Sequence, residues 1–280
     1  MVSAAGGVAA CESHEASDNV AYTVASQNER RSALLVTSVF CLFALAIAPF
    51  GHRQLPEITT FLPAVVSCGF VAMALTASLL FAQFQAGGFT PLATLGLAYA
   101  ASAALLLPYL LTFPRIFSPT GLLGAGAQSS TWLHVSWHLL FCALVALYVV
   151  FEKNGASAVT FRVTAYSTAC VVFGTVLVAT FGHAFLPALV QGNRSTLLFH
   201  AIVSPAVAVA VVLATVLLVA TTRLRARCHL WLAVVLVALL VETLMINFES
   251  GARYSCGWYC ARAVFLSASV IFLVMLQMQY

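Results

Sequence analysis

Apolar residues along this chain come in long unbroken runs, separated by short links rich in glycine, proline and polar side chains. Eight runs approach or exceed the ~20 residues needed to cross ~30 Å of hydrocarbon. They cover roughly 32–50, 60–84, 89–113, 130–151, 161–186, 196–220, 229–248 and 255–280. Pro49-Phe50-Gly51, Gly87-Gly88, the stretch from Pro114 to Gly126, Pro187 and Gly192 mark most of the junctions. Each run is expected to be a helix, because lipid offers backbone N–H and C=O groups no partner and a helix satisfies them internally. No segment shows the alternation of a barrel strand, and no internal repeat of the kind found in many transporters is visible. The pattern predicts an all-α, polytopic membrane bundle of eight transmembrane helices.

Composition agrees. Apolar residues make up 62% of the 280 positions and charged residues 7%, with a mean hydropathy of +1.02. Soluble domains carry about a quarter charged residues. The net charge of +4 is small, and its arginines form short clusters beside the runs, which suits membrane topology and excludes a nucleic-acid-binding surface. Eight cysteines are scattered mostly within apolar runs and form no CxxC pair, so no disulfide framework is expected. Residues 1–31 are polar and lack the basic start of a signal peptide. They are expected to be a flexible cytoplasmic tail, with 32–280 forming one membrane domain.

The Lys/Arg bias sets direction. A cytoplasmic N-terminus places Arg30, Arg31, Lys153, Arg162, Arg223, Arg225 and Arg227 inside. Arg53, Arg115, Arg194 and Arg253 then lie outside, and Arg262 lies within the last span. Both termini are then cytoplasmic, in an inner membrane. This orientation gathers most polar span residues near the outer face: His134 and His138 in span 4, His183 at the end of span 5 and His200 at the start of span 6. Glu242 lies ~9 Å and Arg262 ~12 Å below that face at 1.5 Å rise per residue. An unpaired charge at such depth costs several kcal/mol, ~2.5–3.5 on insertion scales. Glu242 and Arg262, on consecutive antiparallel spans, are therefore expected to form an ion pair. The pair either simply locks spans 7 and 8 or belongs to a polar pocket open to the periplasm.

Each histidine can be satisfied by a neighbouring carbonyl. Alternatively His134 and His138, one turn apart on one face, form an edge of a metal or haem site with His183 and His200. Cys256 and Cys260 share that spacing and with two histidines would make a tetrahedral set. Trp132, Trp137, Trp258 and Tyr259 fit an outer aromatic belt, and Trp258 and Arg262 are spaced for a cation–π contact. The run GLLGAG, at 121–126, lacks the Lys-Ser/Thr of a phosphate loop and a preceding strand. It fits a lid or re-entrant turn over the outer pocket, with Ser129 or Ser130 capping span 4.

Four stretches carry a resemblance: IAPFGHRQLPE from Ile47, LLFAQF from Leu79, LTFPRIFSPTGLLGAGAQSSTWL from Leu111 with Trp137-His138 after it, and RYSCGWYCAR from Arg253. Together the chain resembles the fourth family of bacterial membrane-associated sensor domains, the MASE group, over about residues 35–275. The resemblance implies an integral membrane input module that usually precedes a diguanylate cyclase or histidine kinase output domain. In the family's pattern position 134 is usually aromatic and cysteine is not expected at 256 and 260, which argues against the four-ligand site. The helices run to Tyr280, so an output domain is expected in cis in a longer chain or in trans as a partner.

The expected function is sensory. A cue binds in the outer half at Arg115, Trp137, His138, Glu242, Trp258 and Arg262, with the guanidinium suited to an anion. Span 8 relays the change to a cytoplasmic output in a two-component or cyclic di-GMP pathway. The chain itself is not expected to be an enzyme, requires no cofactor, and is expected to be a homodimer in the lipid bilayer. The alternative is a haem- or metal-binding redox protein or carrier, with His134, His138, His183 and His200 as ligands.

Overall fold

The computed structural model describes residues 22–278. The expectation for the first 21 residues of the tail lies outside them. Eight helices are long and apolar enough to cross a membrane among the described residues. They are α1 (Gln27–Ile47), α2 (Phe61–Gly87), α3 (Thr90–Leu111), α4 (Ser129–Asn154), α5 (Ala158–Thr180), α6 (Ser204–Thr222), α7 (Arg227–Leu244) and α8 (Cys256–Gln277). A π-helical turn, Phe199–Val203, leads into α6, and another, Met245–Ser250, extends α7. The two strands are short: β1 (Val190–Gln191) pairs with β2 (Arg194–Ser195) in the α5–α6 link. The chain is a multi-pass membrane protein.

Local chemistry explains most of the boundaries. α1 starts before its apolar run because Ser26 and Glu29 form a capping box, which satisfies two of the N–H groups a helix start leaves open. Ser157 and Ser255 cap α5 and α8. Gly88, at φ 71°, ends α2 in the left-handed conformation that costs glycine nothing. α5 stops at Thr180, short of the predicted 186, where Gly182 and a 3₁₀ turn at His183–Phe185 lead into Pro187. Isolated hydroxyls on the spans bond their own helix: Thr76 to the Ala72 carbonyl, Ser102 to Ala98, Thr243 to Leu239 and Ser269 to Phe265. Such hydroxyls need no second helix. Ionisable groups do.

Packing neighbours close a ring: α2 on α3, α3 on α4, α4 on α6, α6 on α7, α7 on α8, and α8 back on α2. α1 lies outside against α7, and α5 lies outside against α3 and α4. This accounts for the burial. In the most apolar window of each helix, 78% of α7 and 72% of α3 is buried, against 11% of α1 and 17% of α5. The outer pair turn apolar side chains such as Leu34, Leu45, Val163 and Phe173 outward, as lipid-facing helices must. Inside the ring Tyr99 of α3 stacks on Phe272 of α8 and meets Phe141 of α4 edge-on.

The described residues begin at one end of the bundle, the near end. The far end holds the links 51–60, 112–128, 181–198 and 251–255. In the 112–128 link Gly121, at φ 93°, has no space for a Cβ against the Thr112 backbone, and the Leu122 amide donates to the Leu111 carbonyl at 2.7 Å. The glycine-rich run thus closes a tight turn at the top of α3. It contains no re-entrant helix, and of this link only Phe113 lines the neighbouring cavity, which corrects the expectation of a lid.

Candidate functional site

Glu242 of α7 is fully buried in the far half of the ring. Its Oε1 accepts from Arg262 Nη1 of α8 at 2.9 Å, so the expected ion pair is formed. Its Oε2 lies 3.3 Å from His138 Nε2 of α4. One carboxylate therefore joins three helices, α4, α7 and α8. His138 has a fixed role at its other nitrogen: Nδ1 donates to the His134 carbonyl at 2.8 Å. With Nδ1 protonated, a neutral His138 turns a lone pair toward a carboxylate oxygen. That contact becomes a hydrogen bond only when a proton sits on Nε2 or on Glu242. Trp137 covers the His138 ring at 3.7 Å between centroids.

Arg262 also reaches His134 Nδ1 at 3.4 Å and lies 5.7 Å from the Trp258 ring and 5.9 Å from the Tyr109 ring. Its Nε is buried without a hydrogen-bond partner. Two cavities flank the cluster. One, of about 10 Å³, lies among α4, α6 and α7 at His134, His138, Phe199, Ser204 and Ile246. The other, of about 50 Å³, opens toward the far end past Phe113, Ser130, Thr131, Arg253, Trp258 and Arg262. Both π-helical turns contribute to these walls through Phe199 and Ile246. Such turns displace side chains from the regular helical register and recur at functional sites.

The other predicted residues are placed as follows. Trp258 lines the larger cavity, and Trp137 packs behind His138 and against Phe265. Both are buried, which corrects their assignment to an aromatic belt. Trp132 remains at the periphery, its indole N–H on the Pro187 carbonyl. Arg115 does not join the cluster. It stands at the surface, paired with Glu57 at 3.0 Å and bonded to Asn193. His183 sits against Gly126 in the far-end link, and His200 bonds Asn247 at 3.0 Å. The expected four-histidine set is thus split, because His183 lies in the 3₁₀ turn beyond α5 and His200 in the entry to α6, each against other partners. Among the described residues, the group able to hold a metal is His134, His138 and Glu242, whose ligand atoms lie within 4.8 Å of one another. It includes neither Cys256 nor Cys260. The packing of Trp137 and Tyr109 around these histidines and the small cavities do not fit a haem macrocycle. Ser129 does not cap α4 either. It accepts from the Gly126 amide and donates to the Ala179 carbonyl, while Gln128 bonds the Leu189 and Val190 backbone.

Two features escaped the sequence reading. The first is Arg253, expected only as an external charge. Its guanidinium turns inward to Ser130 and Thr131 at 3.3 and 3.2 Å and lies 4.6 Å over Phe113. Burial, with the like charges of Arg262 and Arg115, pushes it below the ordinary arginine range. The second is a polar cluster at the near end. There Glu152 of α4 meets His229 Nε2 of α7 at 2.7 Å and accepts from Tyr22 at 3.4 Å, and Tyr22 meets Tyr148 at 2.8 Å. Glu152 and His229 stood at the edges of predicted spans, where water would have sufficed, so only Tyr22 arriving from the N-terminal segment reveals the cluster.

A closed helical ring with a buried carboxylate–guanidinium–imidazole cluster beside a far-end cavity defines a class: a polytopic membrane protein with a polar site within its bundle. The family is more specific. Residues 56–279 match MASE4, the membrane-associated sensor, integral membrane domain, and the chain belongs to that family. No curated protein and no solved structure matches the chain.

Proposed function

We propose that this membrane sensor domain is the input module of a bacterial signalling protein of the inner membrane, with the far end periplasmic and both termini cytoplasmic. A cue enters the far-end cavity at Trp258 and Arg262. It shifts the packing of α7 and α8 around Glu242, and α8 carries the shift to a diguanylate cyclase or histidine kinase, in cis or in trans, within a homodimer. The module itself forms no cyclic dinucleotide and does not phosphorylate itself. The carrying observation is that Arg262 at once lines the cavity and holds the carboxylate that ties α4, α7 and α8 together. A ligand touching Arg262 thereby gains different affinity for two packings of α8, which is the requirement for a signal.

The test places spin labels at the near ends of α4 and α8 in the full chain in lipid discs. Glu242→Gln is expected to change the distance distribution, and Glu242→Gln with Arg262→Gln to bring it back toward wild type. Identical distributions in all three proteins would remove the relay.

The metal-binding carrier remains a second reading, favoured by His134, His138 and Glu242 standing together. Against it, Arg262 already occupies Glu242 Oε1 and faces His134 Nδ1. Metal analysis of purified wild-type and His138→Ala protein decides: stoichiometric metal lost in the variant supports the carrier.

A further inference from the structure

The far-end cavity has a one-sided charge. Its wall includes Arg253 and Arg262 together with His134, and no carboxylate lines it among the described residues. Glu242 neutralises Arg262 from behind the wall. Arg253 has no carboxylate within ion-pair distance among the described side chains; its polar contacts are the Ser130 and Thr131 hydroxyls. These two residues belong to the first turn of α4, whose open N–H groups and dipole favour negative charge. Arg262, which lines the cavity, also has its Nε buried without a hydrogen-bond partner. The backbone of Arg253 is itself pinned, its amide on the Asn193 carbonyl at 2.7 Å and its carbonyl on Gln54 at 2.9 Å. The guanidinium is therefore mounted on a fixed support.

From this arrangement we infer that the cavity binds a small oxyanion, a carboxylate, phosphate or sulfate group, between the guanidinium groups of Arg253 and Arg262, with the Ser130 and Thr131 hydroxyls as further donors. Two planar forks and two hydroxyls supply the directed donors such a group needs. Phe113, Val190, Phe199 and Trp258 restrict the space around it, so the anion is either a small free solute or the head of a larger molecule. The inference rests on the sensory reading for its purpose and stands apart from it in its test. It names the ligand class and gives Arg253 the leading contact.

The experiment uses the full chain in phosphatidylcholine discs, melted at constant ionic strength while chloride is replaced by acetate, sulfate or phosphate. At least one oxyanion is expected to raise the melting temperature with saturation. Arg253→Gln is expected to weaken half-saturation by about tenfold or more, the range for losing a charged hydrogen-bond partner. Arg194→Gln, which removes a far-end charge outside the cavity, is expected to match wild type. Should Arg253→Gln fail to fold, Arg253→Lys serves instead, keeping the charge but losing the fork, with roughly threefold weaker binding. Saturation only with discs containing phosphatidylglycerol, lost in the same variants, identifies a lipid phosphate as the source and supports the site. No saturable response to any oxyanion or to that lipid overturns the inference, as does equal saturation by Arg253→Gln. Saturable, Arg253-dependent binding that leaves the α4–α8 distances unchanged keeps the site and overturns the sensory reading. Failure to bind, with those distances still responding to Glu242→Gln, does the reverse.

Discussion

Two polar clusters sit at opposite ends of the same helix pair, and they are stabilised in different ways. In the far half, Glu242 is fully buried and is matched by a permanent cation, Arg262, with His138 on its second oxygen. At the near end, Glu152 is partly exposed and is satisfied by His229 and Tyr22, with no arginine or lysine within ion-pair distance among the described residues. Depth is the reason. A carboxylate fully buried inside the ring is cut off from bulk solvent and needs a full counter-charge, whereas one at the rim is partly solvated and is satisfied by neutral donors. The near cluster has another consequence. It fastens the N-terminal segment, which also runs against the α6–α7 link through the Val24–Ala226 bridge, the Ala25 and Arg227 amides and a Glu29–Arg227 ion pair. Burial and the Glu152 charge hold the Tyr22 phenol well above its ordinary range, so it remains a donor. The far cluster is built beside space, and the near cluster is built as a fastening.

The largest effect concerns which side each cluster faces. A cysteine placed at Leu122 should react only with reagent added from the periplasmic side, and one at Gly155 only from the cytoplasmic side. Exchanged accessibility would reverse the orientation and put the cavity on the wrong side for an external cue.

Next in size is the loss of one partner in the far cluster. Glu242→Gln and Arg262→Gln should each lower stability by about 3 kcal/mol, because the survivor is left buried and uncompensated. The double substitution should cost clearly less than the two single losses added together. Equilibrium unfolding in detergent checks this, and additive losses would show that each residue relies on a separate partner.

At the near end the same type of change should be milder. Glu152→Gln keeps an acceptor and stands near water, so about 1 kcal/mol is expected. A loss matching that of Glu242→Gln would erase the distinction between the clusters.

The smallest effect is expected of Tyr148→Phe, which removes the hydroxyl contact to Tyr22 and a long one to Cys228, at about 0.5 kcal/mol. It should appear as faster amide hydrogen exchange at Ala25 and Arg227, whose bonds hold the N-terminal segment, with the far cluster unchanged. Unaltered exchange there would show that the backbone bridge alone fastens the segment.

How much of this was legible follows from the range of each force. Eight helices could be read directly, since a bilayer imposes length and apolarity on each span separately. The Glu242–Arg262 pair was legible too, because consecutive helices joined by a short turn must be antiparallel neighbours and equal depth then follows from counting residues. The capping box at Ser26 and Glu29 was written in letters three apart, yet the apolar run set the expected start later, at 32. Residues whose partners are distant in the chain were not legible. The sequence spacing that suggested a four-histidine set says nothing about azimuth around each helix, and the fold turned His183 and His200 elsewhere. Arg115 and Arg253 look alike as far-end arginines. One finds Glu57 at the surface, while the other turns inward because its backbone is pinned by Asn193 and Gln54.

The sequence by itself determined the class, the number of spans and the neighbour relations of helices joined by short links, because hydrophobicity and chain connectivity act locally. Only the tertiary structure decided that α2, α3, α4, α6, α7 and α8 close a ring with α1 and α5 outside it. It alone brought His138 to Glu242 across 104 residues and Tyr22 to Glu152 across 130, and it alone turned Arg253 into the cavity. Those outcomes depend on how each helix is rotated about its axis. Rotation is set by packing over the whole bundle at once, and a linear string of residues records no such angle.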